Sequence, residues 1–200
     1  MIPQIEKNTS QGGIIMEKNI KSSVEKTLES EMVFKGKFFG IRRHQVILPD
    51  GKKAVREIAE HPGAAGCVVL NEKNEILLVK QYRKAAEQVL AEIPAGKIDK
   101  NESPESCVVR EVEEETGIII TEPLKLSEFY PSPGFTTEKM FIYLAKAKDR
   151  GETHQMDDEC IWSGFVPFHQ AFDMIKTGEV QDAKTIIGIL CAKEKLKITC

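Results

Sequence analysis

The chain has 200 residues, of which 41% are hydrophobic, and it carries a formal net charge of -3. This length and composition allow one hydrophobic core with an additional segment. The small negative charge and the lack of a basic cluster exclude nucleic-acid binding that depends on phosphate neutralisation by Lys and Arg. No apolar run approaches the roughly 20 residues of a membrane span, and charged Glu6 and Lys7 stand where a signal peptide would be apolar. We therefore expect a cytoplasmic protein without membrane or nucleic-acid partners.

The cysteines and histidines form no recognisable metal or redox motif. The five cysteines are widely spaced, with no Cys-x-x-Cys pair, and are Cys67, Cys107, Cys160, Cys191 and Cys200. We expect reduced thiols that mostly fill the core. The four histidines are equally isolated, and no two of them have the spacing of a metal site. We expect structural or surface roles for all of them.

The first 60 residues predict an extension followed by a small sheet. Residues 1–15 are polar, contain a Gly-Gly pair and precede a second methionine, Met16, so we expect a flexible extension outside the fold. Short alternating runs between Met32 and Glu60 are separated by glycines and by the turn 49–51, a pattern typical of antiparallel strands. We therefore assign residues 16–60 to an N-terminal antiparallel sheet region and residues 61–200 to the main domain.

Denser apolar runs begin the main domain. Gly66–Leu70 and Ile76–Tyr82 flank a polar turn, which predicts a hairpin of central strands. The remaining elements are predicted as strands at 124–130, 139–147 and 161–166 and as helices at 103–116, 167–176 and 183–195. These elements predict an α/β fold, an α/β/α sandwich with a mixed sheet, beside the small antiparallel sheet.

The helix at 103–116 has clear start and stop signals. Ser103 is a good N-cap, and Pro104 suits the first helical position because its missing N–H is not needed there. Thr116 is followed by Gly117, a typical C-terminal cap. The boundaries of this helix are therefore the best defined in the chain.

Three glutamates on this helix share one face. At 100° per residue, Glu111, Glu114 and Glu115 fall within about a third of the circumference, whereas Glu113 points away. Carboxylates this close repel one another unless a positive charge lies among them. Oxygen ligands on a rigid element suit Mg²⁺ or Mn²⁺. A solvated acidic face is the commoner explanation of such a run. The spacing of further residues before and after these glutamates decides between a metal site and a solvated face.

The wider stretch runs from Gly96 through five residues to Glu102, through seven more to Arg110, and on to Gly117 and Ile118. It resembles the Nudix box, G-x5-E-x7-R-E-U-x-E-E-x-G-U with U aliphatic, at every fixed place. The seven fixed letters would occur by chance in such a chain with a probability on the order of 10⁻⁶ to 10⁻⁵. The resemblance implies a Nudix hydrolase domain at 61–200 that cleaves the pyrophosphate bond of a nucleoside-diphosphate compound.

Segments beside the box resemble the ADP-ribose pyrophosphatase subfamily. They are Arg56-Glu57, Gln81–Arg83, 92–99 and 130–135, and Pro133 occupies the place of a subfamily marker. This resemblance implies Mg²⁺-dependent hydrolysis of ADP-ribose to AMP and ribose 5-phosphate, and a homodimer in which the front sheet reaches the partner's site. Another nucleoside-diphosphate sugar or a dinucleotide remains the alternative substrate. A non-catalytic nucleotide sensor is a further alternative, although it would be expected to have lost box glutamates.

The resemblance also implies roles for individual residues. Glu111 and Glu115 would be the principal metal ligands, assisted by Glu114 and by the backbone carbonyl of Ala95. Arg110 would orient the glutamates through charge-assisted hydrogen bonds, and Glu102 would brace the loop against the helix. For both, a simple surface ion pair is the alternative. Gly96 and Gly117 would support the box structurally.

The remaining roles lie outside the box. A late acidic loop would supply the base or a further metal ligand, and Glu159 falls at the matching place, with Asp157 as its competitor. Arg56 and Arg83 would pair with phosphate or stack on adenine. Glu92, Gly134 and Glu138 would complete the substrate site. An ordinary solvated loop and ordinary surface arginines are the alternatives.

Overall fold

The computed structural model describes residues 23–150 and 162–198. The extension predicted at 1–15 and the candidate bases Asp157 and Glu159 lie outside the described residues. Two compact units divide between Glu60 and His61. Within the described residues, no helix is long and apolar enough to cross a membrane.

The N-terminal unit is a three-stranded antiparallel sheet. Its strands are β1 (Lys26–Lys35), β2 (Gly40–Ile47) and β3 (Lys53–Glu60), in the order β1-β2-β3. Ion pairs between neighbouring strands support the register, as where Arg43 contacts Glu57 at 3.0 Å. The sheet predicted between Met32 and Glu60 is confirmed, although β1 begins earlier. The exposed pattern of β1 explains why its first half gave no apolar signal.

The second unit is built on a seven-stranded mixed sheet. Its strands are β4 (Ala64–Leu70), β5 (Glu75–Arg83), β6 (Gln88–Glu92), β7 (Ala95–Lys97), β8 (Ile118–Phe129), β9 (Met140–Arg150) and β10 (Trp162–Pro167). The order is β10-β5-β4-β9-β8, with β6 on β5 and β7 on β4. β4 runs parallel to β9, and the other pairs are antiparallel.

The hairpin predicted from β4 and β5 closes only near its turn. Leu70 pairs with Ile76, and the Asn71 side chain accepts the N–H groups of Lys73 and Glu75 within the turn. At its other end β4 pairs with β7 in place of β5, while β9 pairs with β4 along the whole strand. Every residue of β4 is buried, as expected of a strand that is covered on both faces.

Three helices cover the two faces of this sheet. They are α1 (Pro104–Thr116), α2 (Phe168–Thr177) and α3 (Ala183–Leu196). The predicted caps of α1 are confirmed: the Ser103 hydroxyl accepts the N–H of Ser106 at 3.0 Å, and Gly117 adopts the left-handed conformation at φ 66°. A residue with a Cβ is strained at that φ, which explains the stop at glycine.

Alternation along β4 divides the core into two layers. Val69 faces α1, where it packs with Val108 and Val112. Val68 faces the opposite side, where Ile189 of α3 completes the packing. The α/β/α sandwich predicted from the sequence is therefore confirmed. It holds α1 against β4 and β7, which places the acidic side of the helix beside the short strand that carries Gly96.

Candidate active site

The contact between Gly96 and Glu111 sets the geometry of the box. A Cβ added to Gly96 would lie only 1.9 Å from the carboxyl carbon of Glu111. No side chain other than hydrogen fits in that space, because real Cβ atoms do not approach so closely. Gly96 belongs to β7 and is paired with Ala65 of β4, so it cannot move aside without breaking the sheet. The glycine therefore places the Glu111 carboxylate directly over the strand.

Glu115 is held against the same strand one helical turn later. Its side chain is only 6% exposed, and its Oε2 atom accepts the N–H of Ala95 at 3.2 Å. A buried polar group needs such a hydrogen-bond partner to offset the loss of its contact with water. Glu111 and Glu115, four residues apart on one face of α1, are thus both pinned to the Ala95-Gly96 segment.

Arg110 joins the carboxylates of the box. Its Nε and Nη2 atoms donate to the two oxygens of Glu102, each at 2.9 Å, and Nη2 also donates to the Lys97 carbonyl at 3.3 Å. Its Nη1 atom donates to Glu111 at 2.8 Å and to Glu114 at 2.9 Å. We refer to Glu102, Arg110, Glu111 and Glu114 as the Arg110 cluster.

Hydrogen bonding between Arg110 and Glu102 favours the charged form of both groups. The hydrogen bonds from Arg110 lower the pKa of Glu102 to about 2, and the same bonds to Glu102 raise the pKa of Arg110. Glu102 also accepts the N–H of Asp99 at 2.9 Å, which ties the loop to the start of the helix. One arginine and three carboxylates leave this cluster with an excess of negative charge.

The donor chemistry of the site suits a hard divalent cation. Carboxylate oxygens of Glu111 and Glu115 lie beside β7, and Gly96 of this strand has no side chain to fill the space next to them. Such oxygens are the ligands that hard divalent cations prefer. In the described part of the chain, however, no three His, Cys, Asp or Glu side chains already stand as a metal-holding group. Arg110 draws Glu114 and Glu111 toward itself, whereas Glu115 turns to Ala95. The metal-ligand roles therefore stay predictions.

A cavity of about 450 Å³ opens beside this segment. Of the predicted site residues, Arg83, Glu92, Ala95, Gly96 and Glu138 line it. His61, Asp182 and Lys184 also line it, although the sequence analysis assigned them no role. The structure thus brings the box strand and three of the five predicted substrate residues, Arg83, Glu92 and Glu138, to one cavity.

Glu92 is the most buried charged group at the cavity. It is 1% exposed and accepts two hydrogen bonds from Arg83, both at 2.7 Å, and a third from Lys184. Burial raises its pKa, but the bonds from Arg83 and Lys184 outweigh burial, so its pKa is lowered overall. Glu92 therefore acts as the fixed anion that holds two cations at the cavity wall.

Lys184 reaches Glu92 because the start of α3 is locked. Asp182 caps the helix by accepting the N–H of Thr185 at 2.9 Å and its hydroxyl at 2.6 Å. The Thr185 hydroxyl oxygen in turn accepts the N–H of Ile93 at 2.9 Å, next to Glu92. Lys184 also lies 3.0 Å from Asp182. The N-cap signal at Asp182 was readable in the sequence, but the approach to Glu92 was not. We call Arg83, Glu92, Asp182 and Lys184 the Glu92 cluster.

The remaining predicted substrate residues are Gly134 and Arg56, with Pro133 as the subfamily marker. Pro133 and Gly134 are exposed and do not line the cavity, and a Cβ added to Gly134 would meet nothing within 4 Å. Arg56 belongs to β3 of the N-terminal unit, where it pairs with Glu25 at 2.5 Å. Its role in substrate binding stays a prediction.

A helix whose acidic face lies over the strand that contains Gly96, in an α/β/α sandwich, presents the carboxylate oxygens that divalent cations prefer and that enzymes acting on phosphates use through such cations. The NUDIX domain model matches residues 60–187, and the model of the nucleoside diphosphate sugar hydrolase N-terminal domain matches residues 25–58. The chain belongs to the Nudix family and is a Nudix pyrophosphohydrolase. Nudix hydrolases use divalent metal ions.

Similar proteins of known sequence or structure agree with this assignment. An ADP-ribose pyrophosphatase of Bacillus subtilis (strain 168) is 40% identical over 89% of this chain and 98% of its own length. A methanol dehydrogenase activator of Bacillus methanolicus is 37% identical over 86% of this chain and 96% of its own. A crystal structure of an ADP compounds hydrolase superposes with a TM-score of 0.75 at 20% identity, covering 86% of this chain and 94% of that one. This last likeness concerns the fold.

Proposed function

We propose that this protein hydrolyses ADP-ribose and water to AMP and ribose 5-phosphate in the cytoplasm, with Mg²⁺ as the preferred metal and Mn²⁺ as a substitute. The observation that carries the proposal is the box geometry, in which Gly96 admits the Glu111 carboxylate and Arg110 fixes it from the other side. The choice of ADP-ribose is supported by the B. subtilis relative, which matches along nearly its whole length.

Within this proposal, Glu111 and Glu115 hold the divalent ion, with Glu114 and the Ala95 carbonyl assisting. When bound, the ion neutralises phosphate oxygens and lowers the pKa of a water molecule. Arg110 keeps the carboxylates oriented, because it donates to Glu111 and Glu114 at once. Glu102 in turn fixes the arginine with two parallel hydrogen bonds.

Residues outside the box bind the substrate and accept the proton of the attacking water. Arg83 and Lys184 present positive charge along the cavity, which attracts the diphosphate. A carboxylate of the late loop, Glu159 or its competitor Asp157, accepts the proton of the attacking water. The reaction then breaks one bond of the pyrophosphate bridge and forms one P–O bond to the water oxygen.

The N-terminal unit is the proposed dimerisation region. A homodimer is supported by the match of residues 25–58 to a dedicated N-terminal domain and by the continuous exposure of β1, which leaves an edge strand for pairing. Arg56 in β3 would then serve substrate binding. Sedimentation of the purified protein tests this, and a monomer at micromolar concentration would contradict it.

An alternative substrate class is another nucleoside-diphosphate sugar. The name of the N-terminal domain model favours such compounds in general, and the box itself encodes pyrophosphate cleavage without reference to the attached group.

Product analysis with Mg²⁺ separates these alternatives. The panel contains ADP-ribose, other nucleoside-diphosphate sugars, dinucleotides and nucleoside triphosphates. We expect selective release of AMP from ADP-ribose. Selective cleavage of another compound would transfer the assignment to that compound, and binding without turnover under any divalent metal would contradict hydrolysis.

A further inference from the structure

His61 lies at the cavity with its backbone fixed on both sides. Its N–H donates to the hydroxyl oxygen of Thr137 at 2.8 Å, and the same hydroxyl donates back to the His61 carbonyl at 3.1 Å. Thr137 directly precedes Glu138, which also lines the cavity. The peptide groups of His61 are therefore held in place although they lie outside any strand.

The imidazole is oriented by the turn that follows it. The N–H of Gly63 donates to Nδ1 of His61 at 3.1 Å. Gly63 has a φ of +100°, and a Cβ added there would lie 3.0 Å from the Lys139 carbonyl, so the turn requires glycine. The Gly63 carbonyl is itself fixed by the N–H of Ile98 at 3.1 Å. Because Nδ1 accepts a hydrogen bond, the neutral ring carries its proton on Nε2.

The Nε2 atom lies on the side of the ring opposite Nδ1. Across the described ranges 23–150 and 162–198, no hydrogen bond engages it, and His61 itself lines the cavity. The ring therefore offers an N–H donor at Nε2, while its peptide groups and its Nδ1 atom are held by Thr137 and Gly63. Donors fixed in this way bind a ligand without a further cost of ordering.

We propose that His61 is a substrate-binding residue whose Nε2–H donates to an oxygen of the bound nucleoside diphosphate. The substrate class rests on the proposed function, and the inference adds a specific directional contact to it. Arg83 and Lys184 attract the diphosphate by charge, whereas His61 selects the position of one acceptor oxygen. That oxygen belongs either to a phosphate or to a ribose hydroxyl, on the adenosine side or on the far side of the pyrophosphate bridge.

Two substitutions of His61 test the roles of its two ring nitrogens separately. In His61→Asn, the carboxamide oxygen replaces Nδ1 and still accepts the Gly63 N–H, but nothing stands at Nε2. In His61→Gln, the longer amide places an N–H near the position of Nε2 and leaves Gly63 without its acceptor. The matched pair therefore distinguishes loss of the cavity donor from loss of the turn.

Steady-state kinetics with Mg²⁺ is measured on the compound that the wild-type enzyme hydrolyses, so a wrong assignment of ADP-ribose is detected before the variants are compared. We expect His61→Asn to raise KM about tenfold with kcat within about twofold, because one lost hydrogen bond corresponds to about that factor. We expect His61→Gln to keep KM within about threefold. A wild-type KM in His61→Asn, or an equal rise in both variants, would overturn the donor role.

Inhibition by the two products locates the acceptor. If the inhibition constant of AMP rises in His61→Asn while that of ribose 5-phosphate does not, the acceptor lies on the adenosine side. The reverse result places it on the far side. If neither constant changes, the proposed contact is wrong. Should His61→Asn fail to fold, the Nε2 signal of wild-type His61 in ¹⁵N spectra, assigned with His61→Gln, must shift on adding one of the products.

Discussion

The two charged clusters of the Nudix domain differ in how their charges balance. The Arg110 cluster sets one cation among three carboxylates. The Glu92 cluster sets two cations against two carboxylates. The first is therefore incomplete without an added cation, whereas the second is satisfied by the chain alone. We infer that substitutions in the first cluster lower mainly turnover, whereas substitutions in the second lower folding stability in addition to any effect on substrate binding.

The largest effect is expected at Glu115, next to the Arg110 cluster. Glu115→Gln keeps an oxygen that can accept the Ala95 N–H but loses the negative charge, so the fold is retained while metal affinity falls. We expect kcat to fall about 10³-fold, which corresponds to about 4 kcal/mol of transition-state stabilisation. Turnover at saturating Mg²⁺ and thermal unfolding are measured together. Full turnover in this variant would mean that the proposed metal site is wrong.

Gly96→Ala tests the glycine strand beneath the same glutamates. The added Cβ would occupy the place of the Glu111 carboxyl group, so this side chain must leave its position. We expect turnover to fall about 100-fold, a loss similar to that for groups that orient metal ligands. Gly134→Ala, measured at saturating substrate, is the matched control, because a Cβ there meets nothing within 4 Å and the predicted substrate-binding role of Gly134 would change KM instead. Equal activity in Gly96→Ala and Gly134→Ala would contradict the proposed geometry.

Glu92→Gln tests the balanced cluster. It leaves Arg83 and Lys184 beside a neutral amide, and we expect the free energy of unfolding to fall by about 2 kcal/mol, less than for a fully buried pair because Arg83 is partly exposed. Urea denaturation measures the loss. Glu128→Gln, which weakens an exposed pair with Lys125 and Lys139, should change stability little. A similar loss in both variants would refute the distinction.

The effect of Glu92 should also depend on pH in one direction. Its pKa is lower in the folded protein than its ordinary value. Its contribution to stability is therefore complete above the unfolded-state pKa and is lost as the pH falls through the folded pKa. The difference in unfolding free energy between wild type and Glu92→Gln should stay constant near neutral pH and shrink below about pH 4. A difference that grows in acid would contradict this assignment.

The two clusters were not equally predictable. The Arg110 cluster lies mostly on one helix. The ends of this helix are predicted locally by the caps Ser103 and Gly117, and its faces are predicted by the 3.6-residue period. The sequence therefore predicted the facing of its glutamates. The family resemblance implied that Arg110 orients the glutamates, but nothing in the sequence indicated that Glu115 turns to the Ala95 N–H, because the direction of that side chain depends on neighbours that only the fold supplies.

The Glu92 cluster joins residues that are distant in the chain. Lys184 and Glu92 are 92 residues apart in the chain, and His61 and Thr137 are 76 residues apart. No local sequence pattern therefore predicts either contact. The strands β6 and β7 were also missed. β7 has only three residues and includes a glycine, so its composition gives no strand signal. Both short strands form because they hydrogen-bond to the edges of β4 and β5.

The smallest effect is expected at Glu113, which the helical period turns away from the other glutamates. It is half-buried, and Arg110 donates its side-chain hydrogen bonds to Glu102, Glu111 and Glu114 instead. Glu113→Gln should keep turnover within about twofold, as expected for a substitution away from the reacting groups. Glu114→Gln, the neighbouring control, loses an acceptor of Arg110 and should lower turnover about tenfold. If instead Glu113→Gln were the more damaging of the two, the acidic face of α1 would have been assigned to the wrong side of the helix.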